Sequence, residues 1–473
     1  MDVLDPRPRP AGAIPTTYTH LYSYIIKYYV QPSFRLPSSM ENYTDMENGD
    51  VDIVEQVVKI LLDCEVNGVN GGSKTCIFKV PSVLRAISPD SYNPRVVSIG
   101  PLHREAENVQ AMEARKATYR RCLLNHLNLP LEQTLRTCVK KITASIDQIK
   151  ESYFEMNTYT NVELAQMMVM DGFFILEFLR SHEESGGDHV LLSTDIVYDL
   201  LLLENQIPFF VLQDLFDSTI LIHKPDASLK NLILHVLRHI RLFVETLREV
   251  NDLRETKPDH ILGLMHKCYQ PAETSNPPLK GKQIHSACEL DRAYVKFMPN
   301  QDPSWAMEIK FEQSRLRCFS WSCGNTLRMP VIQIYDFTES LLRNLIVYEQ
   351  SAKVVPLYIT SYTVFIDTLV DTKEDIVMLM DAGVIINNLA GSTEELANIF
   401  NNINKQIDVA YFFYNKEWAK IDEYYNGWWT RNVAWLRRRY FSNPWSSIAF
   451  IVGTILFTLA FVQTIYTVKG VKS

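Results

Sequence analysis

From Asp50 onward the apolar residues of the chain recur mostly at helical spacing. Val51, Val54, Val58, Leu61 and Leu62 share one face, Glu55 and Lys59 stand at i,i+4 on the other, and a helix ending near Val66 is predicted. Val109, Met112, Tyr119, Leu123 and Leu127 predict the next. Leu135, Val139, Ile142, Ile146, Ile149 and Tyr153 step 4-3-4-3-4, a one-sided stripe that needs a partner helix. Thr160 with Glu163 forms a capping box that opens VELAQMMVMDGFFILEFL, a segment apolar nearly all round. Apolar positions from Leu229 to Leu247 predict another long helix. Helices are expected again over 337–350, over 373–381 behind a Thr372/Asp375 cap, and beyond a Ser392/Glu395 box that leads into Leu396, Ile399, Phe400, Ile403 and Ile407.

The most apolar internal stretch is Asp199 to Phe216, DLLLLENQIPFFVLQDLF. With Glu204 at its middle it is a poor membrane span and a good core element. Pro208 lacks a backbone donor and keeps Ile207 out of the α region, so one helix should end near Gln206 and another begin at Pro208. Glu204, Asn205 and Gln206 then serve the bend, the two amides donating to carbonyls freed at the helix end or to a neighbouring segment. Residues 76–103, with four prolines, predict irregular chain wrapping the core, and 270–283 predicts a loop at a subdomain joint. Beyond it AYVKF, MEIKF and MPVIQIYDF alternate at period two, which predicts a small antiparallel sheet.

Residues 448–468, IAFIVGTILFTLAFVQTIYTV, carry no charge. At 1.5 Å per residue such a helix is roughly 31 Å long, close to the ~30 Å hydrocarbon core of a bilayer. Trp428, Trp429, Trp435, Tyr440 and Trp445 supply interfacial aromatics on one side, where Arg437, Arg438 and Arg439 outweigh Lys469 and Lys472 on the other. A single-pass, tail-anchored protein with its large domain in the cytosol follows. The start of the chain is acidic and broken by prolines, so no signal peptide is predicted and residues 1–48 read as a poorly ordered arm. Glycosylation of the Asn42-Tyr43-Thr44 sequon would reverse that topology.

At 473 residues and 47% hydrophobic the chain can bury a large core. Its net charge of −8 excludes a nucleic-acid-binding surface. The eight cysteines show neither CxxC nor Cys/His ligand spacing and read as reduced thiols, up to four disulfides being the extracellular alternative. Residues 68–75 resemble a phosphate loop, but Ser73 stands where the second glycine belongs and no helix follows, so a plain loop is predicted. Asp171, Glu204 and His103 are the candidate acids and base. Asp171 reads as a hydrogen-bonded structural group, with a catalytic carboxylate of raised pKa as the alternative. No catalytic, cofactor-binding or metal-binding residues are predicted.

Several segments carry a resemblance: Val96–Pro101, Met112-Glu113 with Lys116, Met167–Phe174, Leu203–Phe210, Arg343–Ile346 with Glu349-Gln350, and Tyr440–Trp445. In them the chain resembles the plant-specific family called domain of unknown function 247. That family usually has Ser-Ala-Thr-Glu-Leu leading into Gly-Val-Lys-Phe. Here Ser286–Leu290 and Ala293–Phe297 depart from it, with Tyr294 in place of the glycine. The resemblance implies a helical, C-terminally membrane-anchored plant protein with no established chemistry, and some grass members are associated with pollen self-incompatibility. Together these patterns predict a mainly α protein: an arm at 1–48, a large helical domain at 49–440 with a small antiparallel β element, and an anchor at 441–473. The expected role is recognition or signalling at the plasma membrane through a protein or peptide partner, without enzymatic activity; a membrane-tethered enzyme is the alternative. Partner specificity is expected on the exposed loops 66–75 and 270–283 and on the departing segment 284–297.

Overall fold

Reciprocal capping fixes the start of the central helix where Thr160 and Glu163 predicted it. The Thr160 N–H donates to Glu163 Oε2 at 2.8 Å, and the Glu163 N–H donates back to Thr160 Oγ1 at 3.2 Å. The computed structural model describes residues 75–470 apart from 155, 157–158, 186–189, 245–255, 272–284, 302, 314–324, 353–354, 390, 410 and 428–443. The chain divides into units 1–72 and 73–473, and the described residues all belong to the second. The predicted arm, the helix ending near Val66, nearly all of the 68–75 loop and most of the 270–283 loop lie outside them.

The helices of the first half are α1 (Ser82–Ile87), α2 (Gln110–His126), α3 (Leu131–Ala144), α4 (Ile146–Glu151), α5 (Asn161–Ser185), α6 (Val190–Asp199), α7 (Phe209–Asp217), α8 (Ile220–His223), α9 (Leu229–Leu237) and α10 (Ile261–Cys268). Helix α5 is the hub, packed by α2, α3, α7 and α9. Leu164, Met168, Phe173, Phe174, Ile175 and Leu176 on it are wholly buried, each contributing about 1.5–3 kcal/mol. The predicted 4-3-4 stripe is displaced: Thr134, Cys138 and Ile142 turn inward, whereas Val139 is 42% exposed. Ser145 leaves helical geometry between α3 and α4, and the stripe resumes with Ile146, Ile149 and Tyr153.

Two predicted helices are shorter than their apolar runs. The helix before Pro208 ends at Asp199 rather than near Gln206, and residues 200–207 are irregular yet buried. Pro208 is the N-cap of α7, one residue before the helix proper, where its missing N–H costs nothing. Helix α9 stops at Leu237, because Leu242 and Phe243 are drawn into the core by an antiparallel bridge from Phe243 to Ile332.

The second half holds α11 (Ala287–Arg292), β1 (Val295–Pro299), β2 (Lys310–Glu312), β3 (Asn325–Met329), β4 (Ile332–Ile334), α12 (Thr338–Ser351), α13 (Tyr358–Leu369), α14 (Lys373–Asp381), β5 (Ile385–Asn387), α15 (Thr393–Ile403), α16 (Asn415–Asn426) and α17 (Pro444–Gly470). The sheets are mixed, not antiparallel. β3 lies between β1, parallel, and β2, antiparallel, while β4 pairs parallel with β5. The period-two runs found three strands but not their direction, because the parallel partners β3 and β5 come from distant segments. Cys76, Cys122, Cys138, Cys268 and Cys288 are free thiols.

The expected transmembrane helix at 448–468 falls within α17, yet among the described residues no helix is long and apolar enough to cross a membrane.

Tyr294 enters β1 at φ +63°, the left-handed region, where the family resemblance places glycine. A non-glycine residue there costs about 1–2 kcal/mol. Tyr294→Gly is therefore expected to raise the unfolding free energy by up to about 1 kcal/mol; a lower urea midpoint would show that the ring contributes more than the backbone loses.

Candidate functional site

The irregular 200–207 segment lies in the core beside a second irregular stretch, residues 95–101, and side chains join the two. The Asp199 carboxylate accepts the N–H groups of Arg95, Val96 and Val97 at 2.7, 2.7 and 2.8 Å. Asn205 Oδ1 accepts the Ile99 N–H at 2.7 Å, and its Nδ2 donates to the carbonyls of Val97 and Asp199 at 3.0 and 2.9 Å. Gln206 Nε2 donates to the carbonyls of Leu200 and Leu202 at 2.7 and 2.8 Å. From α12, Asn344 Oδ1 accepts the Leu203 N–H at 2.8 Å and Nδ2 donates to Ser91 O at 2.7 Å. The two amides before Pro208 thus answer backbone carbonyls, as expected of them.

Asp171, wholly buried on α5, is tied at both oxygens. Oδ1 meets the Lys116 ammonium, which also donates to Ser98 O, and Oδ2 accepts the Gly100 N–H at 2.8 Å. Gly100 has φ +74°, and a Cβ there would lie 2.5 Å from the Gln206 carbonyl oxygen, so no other residue fits. Glu204 accepts the Val80 N–H and pairs with Arg85, while His103 Nε2 stands 2.9 Å from its Oε2. Burial alone would raise the Glu204 carboxyl, but His103, Arg85 and the Val80 N–H together hold it below its usual value. Of the three sequence candidates, Glu204 and His103 therefore meet, whereas Asp171 is bound up in its own ion pair.

His103 also lines a surface recess of about 620 Å³ with Asp90, Asn93, Pro94, Arg95, Ala106 and Asn108. No hydroxyl, thiol or lysine lines it. A similar carboxylate plug, not anticipated, sits on α12: Glu349 accepts the N–H groups of Ile359 and Thr360 at 2.9 and 2.7 Å, with His266 Nε2 at 2.8 Å. A third polar group, also not anticipated, is His182, His235 and His239, whose ligand atoms lie within 4.8 Å of one another. Burial, then the neighbouring imidazoles of His239 and His235, lower the pKa of His182. Sequence patterning singled out none of the three: His235 and His239 stand at i,i+4, a signal legible in the sequence, but their partner comes from another helix.

A profile described as a plant protein of unknown function, domain of unknown function 247, matches residues 77–459. The chain belongs to this family. The UPF0481 protein At3g47200 of Arabidopsis thaliana is 27% identical over 422 residues, covering 83% of this chain and 86% of that protein. The putative UPF0481 protein At3g02645 of the same plant is 24% identical over 477 residues, covering 82% and 89%. No solved structure matches the chain. The segments by which the sequence resembles the domain of unknown function 247 family supply the buried contacts above: Ser98 to Gly100, Lys116, Asp171, Glu204 to Gln206, Asn344 and Glu349.

Asn205→Ala breaks three buried hydrogen bonds and is expected to lower the unfolding free energy by about 1–3 kcal/mol in urea. Burial pushes the Asp199 carboxyl up to about 6 despite its three N–H donors. Because that lies above the unfolded carboxylate, the stabilisation from its proton is complete below about pH 4 and lost as pH rises through about 6. Asp199→Asn, which cannot titrate and turns a donor toward one of the three N–H groups, should be destabilised throughout. Its stability should fall less than that of the wild type between about pH 4 and 6; parallel curves would remove Asp199 from the titration.

Proposed function

We propose that this protein is a non-enzymatic recognition or signalling protein, held at the plasma membrane by its C-terminal helix and acting through protein or peptide partners. The observation that carries the anchor is the condition of α17. Ile455, Leu456, Phe457, Leu459, Phe461 and Tyr466 are exposed around its whole circumference, and a Cβ built on Gly453 would meet nothing within 4 Å. A helix apolar on every side belongs in a protein core or in a bilayer. The uncharged run 448–468 has the length of the ~30 Å hydrocarbon layer, and Arg437, Arg438 and Arg439 favour a cytosolic domain.

The non-enzymatic part is supported by the engagement of the candidate acids: both oxygens of Asp171 and of Glu204 are occupied by backbone N–H groups and cations. A membrane-tethered enzyme is the second reading, favoured by the His103–Glu204 contact beside the recess. Partner specificity is assigned to 66–75, 270–283 and the family-departing segment 284–297, which forms α11 and the start of β1, since loops and divergent segments on a rigid scaffold are where recognition usually sits.

Deleting 448–468 is expected to move the protein from the membrane to the soluble fraction; pelleting with membranes in high salt would sink the anchor. Pull-downs from membranes, with the three loops exchanged for those of a relative, are expected to switch partners while folding is kept. Partners that follow the core or the first 48 residues would overturn the loop assignment, and substrate turnover lost in His103→Ala would establish the second reading.

A further inference from the structure

The three histidines outside the buried plug come from two packed helices. His182 lies in the last turns of α5, and His235 lies in α9. His239 follows one turn on, where the Arg238 and His239 N–H groups still bond back to Leu234 O and Val236 O at 3.0 and 3.2 Å. Helical spacing puts His235 and His239 on one side, toward His182. The ring centroids are 5.4 Å apart for His182 and His239, 5.9 Å for His235 and His239, and 6.0 Å for His182 and His235. His182 Nδ1 is buried and makes no hydrogen bond.

Three imidazoles converging this way need a reason, since a nitrogen lone pair taken out of water without a donor is unfavourable. A cation at about 2.0–2.1 Å from each nitrogen supplies one, and requires nitrogens about 3.4 Å apart in tetrahedral geometry. The ligand atoms already lie within 4.8 Å. His239 is exposed, so a rotamer change there to close the difference displaces no buried neighbour. All three donors are nitrogen, which selects a borderline transition-metal dication over Ca²⁺ or Mg²⁺, whose ligands are oxygen.

We propose that His182, His235 and His239 form a three-histidine site for a zinc-class dication, with the fourth position open to solvent. The metal would tie the end of α5 to α9 across the surface of the domain. Its open position resembles a catalytic zinc site in coordination number, with a water molecule or an exchangeable anion as fourth ligand.

The test uses the full chain in detergent, without a polyhistidine tag, stripped with chelator and titrated with Zn²⁺ by calorimetry. One zinc per chain is expected. Since even outer-shell changes cost about 10–100-fold in affinity, losing a ligand in His182→Gln or His239→Gln should weaken binding by at least about tenfold. His239→Gln carries the test if His182→Gln fails to fold, because the exposed residue can be changed without repacking, as its metal-free melting curve will record. Wild-type protein that binds no zinc, or variants that bind it as tightly, would overturn the site.

Discussion

An irregular stretch of backbone can enter a protein core only if the N–H and C=O groups it brings inside find partners. Residues 200–207 and 95–101 both face this constraint, and each answers it largely through the other. Asp199 takes three donors from 95–97, Asn205 bridges both segments, and Gln206 returns to the carbonyls of Leu200 and Leu202. Each such group left unanswered would cost about 1–3 kcal/mol, a large share of the stability of any domain. The Lys116–Asp171 pair adds a harsher version, since removing one partner leaves a charge stranded with the other. Helix α5 can bury its middle because both acids it takes inside are paired, Asp171 with Lys116 and Glu177 with Arg180.

That constraint also explains what family membership measures here. Most of the described residues that carry the family resemblance, such as Ser98 to Gly100, Lys116, Asp171, Glu204 to Gln206, Asn344 and Glu349, are interior ones that pair buried polar groups. They define a scaffold. Chemistry or recognition has to be sought in what the scaffold presents, namely its loops, the recess beside His103, the three histidines and the apolar tail helix.

Patterning made the local structure legible. The Thr160/Glu163, Thr372/Asp375 and Ser392/Glu395 pairs marked helix starts because capping is settled within four residues. The Asp199–Phe216 stretch stood out as core, and Pro208 as a boundary, but its first half was not legible as irregular: what holds it open is Asn344 and residues 95–99, far along the chain. Val139 looked apolar enough to be buried, and only packing on α5 decided for Cys138 instead. Strand direction failed for the same reason. Asp171 is hydrogen-bonded, as its place amid apolar residues implies, but its partner Lys116 could not be named from spacing, and the histidine cluster was half visible at i,i+4 until α5 supplied its third member.

The plug is wired from distant parts of the chain. Val80 and Glu204 are 124 residues apart, Leu203 and Asn344 141, and the Cys76 carbonyl and His260 184. Closing loops of that length precedes the reward of any contact, so the topology is slow to form. On the ribosome, residues 76–100 emerge first and wait for Asp199 to Gln206, while α5 stands uncovered in between. Asn344 arrives later still, only about a hundred residues ahead of the apolar tail. Until Asn344 joins, the backbone groups of 200–207 lack one of their partners, so a chain folding from its N-terminus keeps apolar surface of the core uncovered until late.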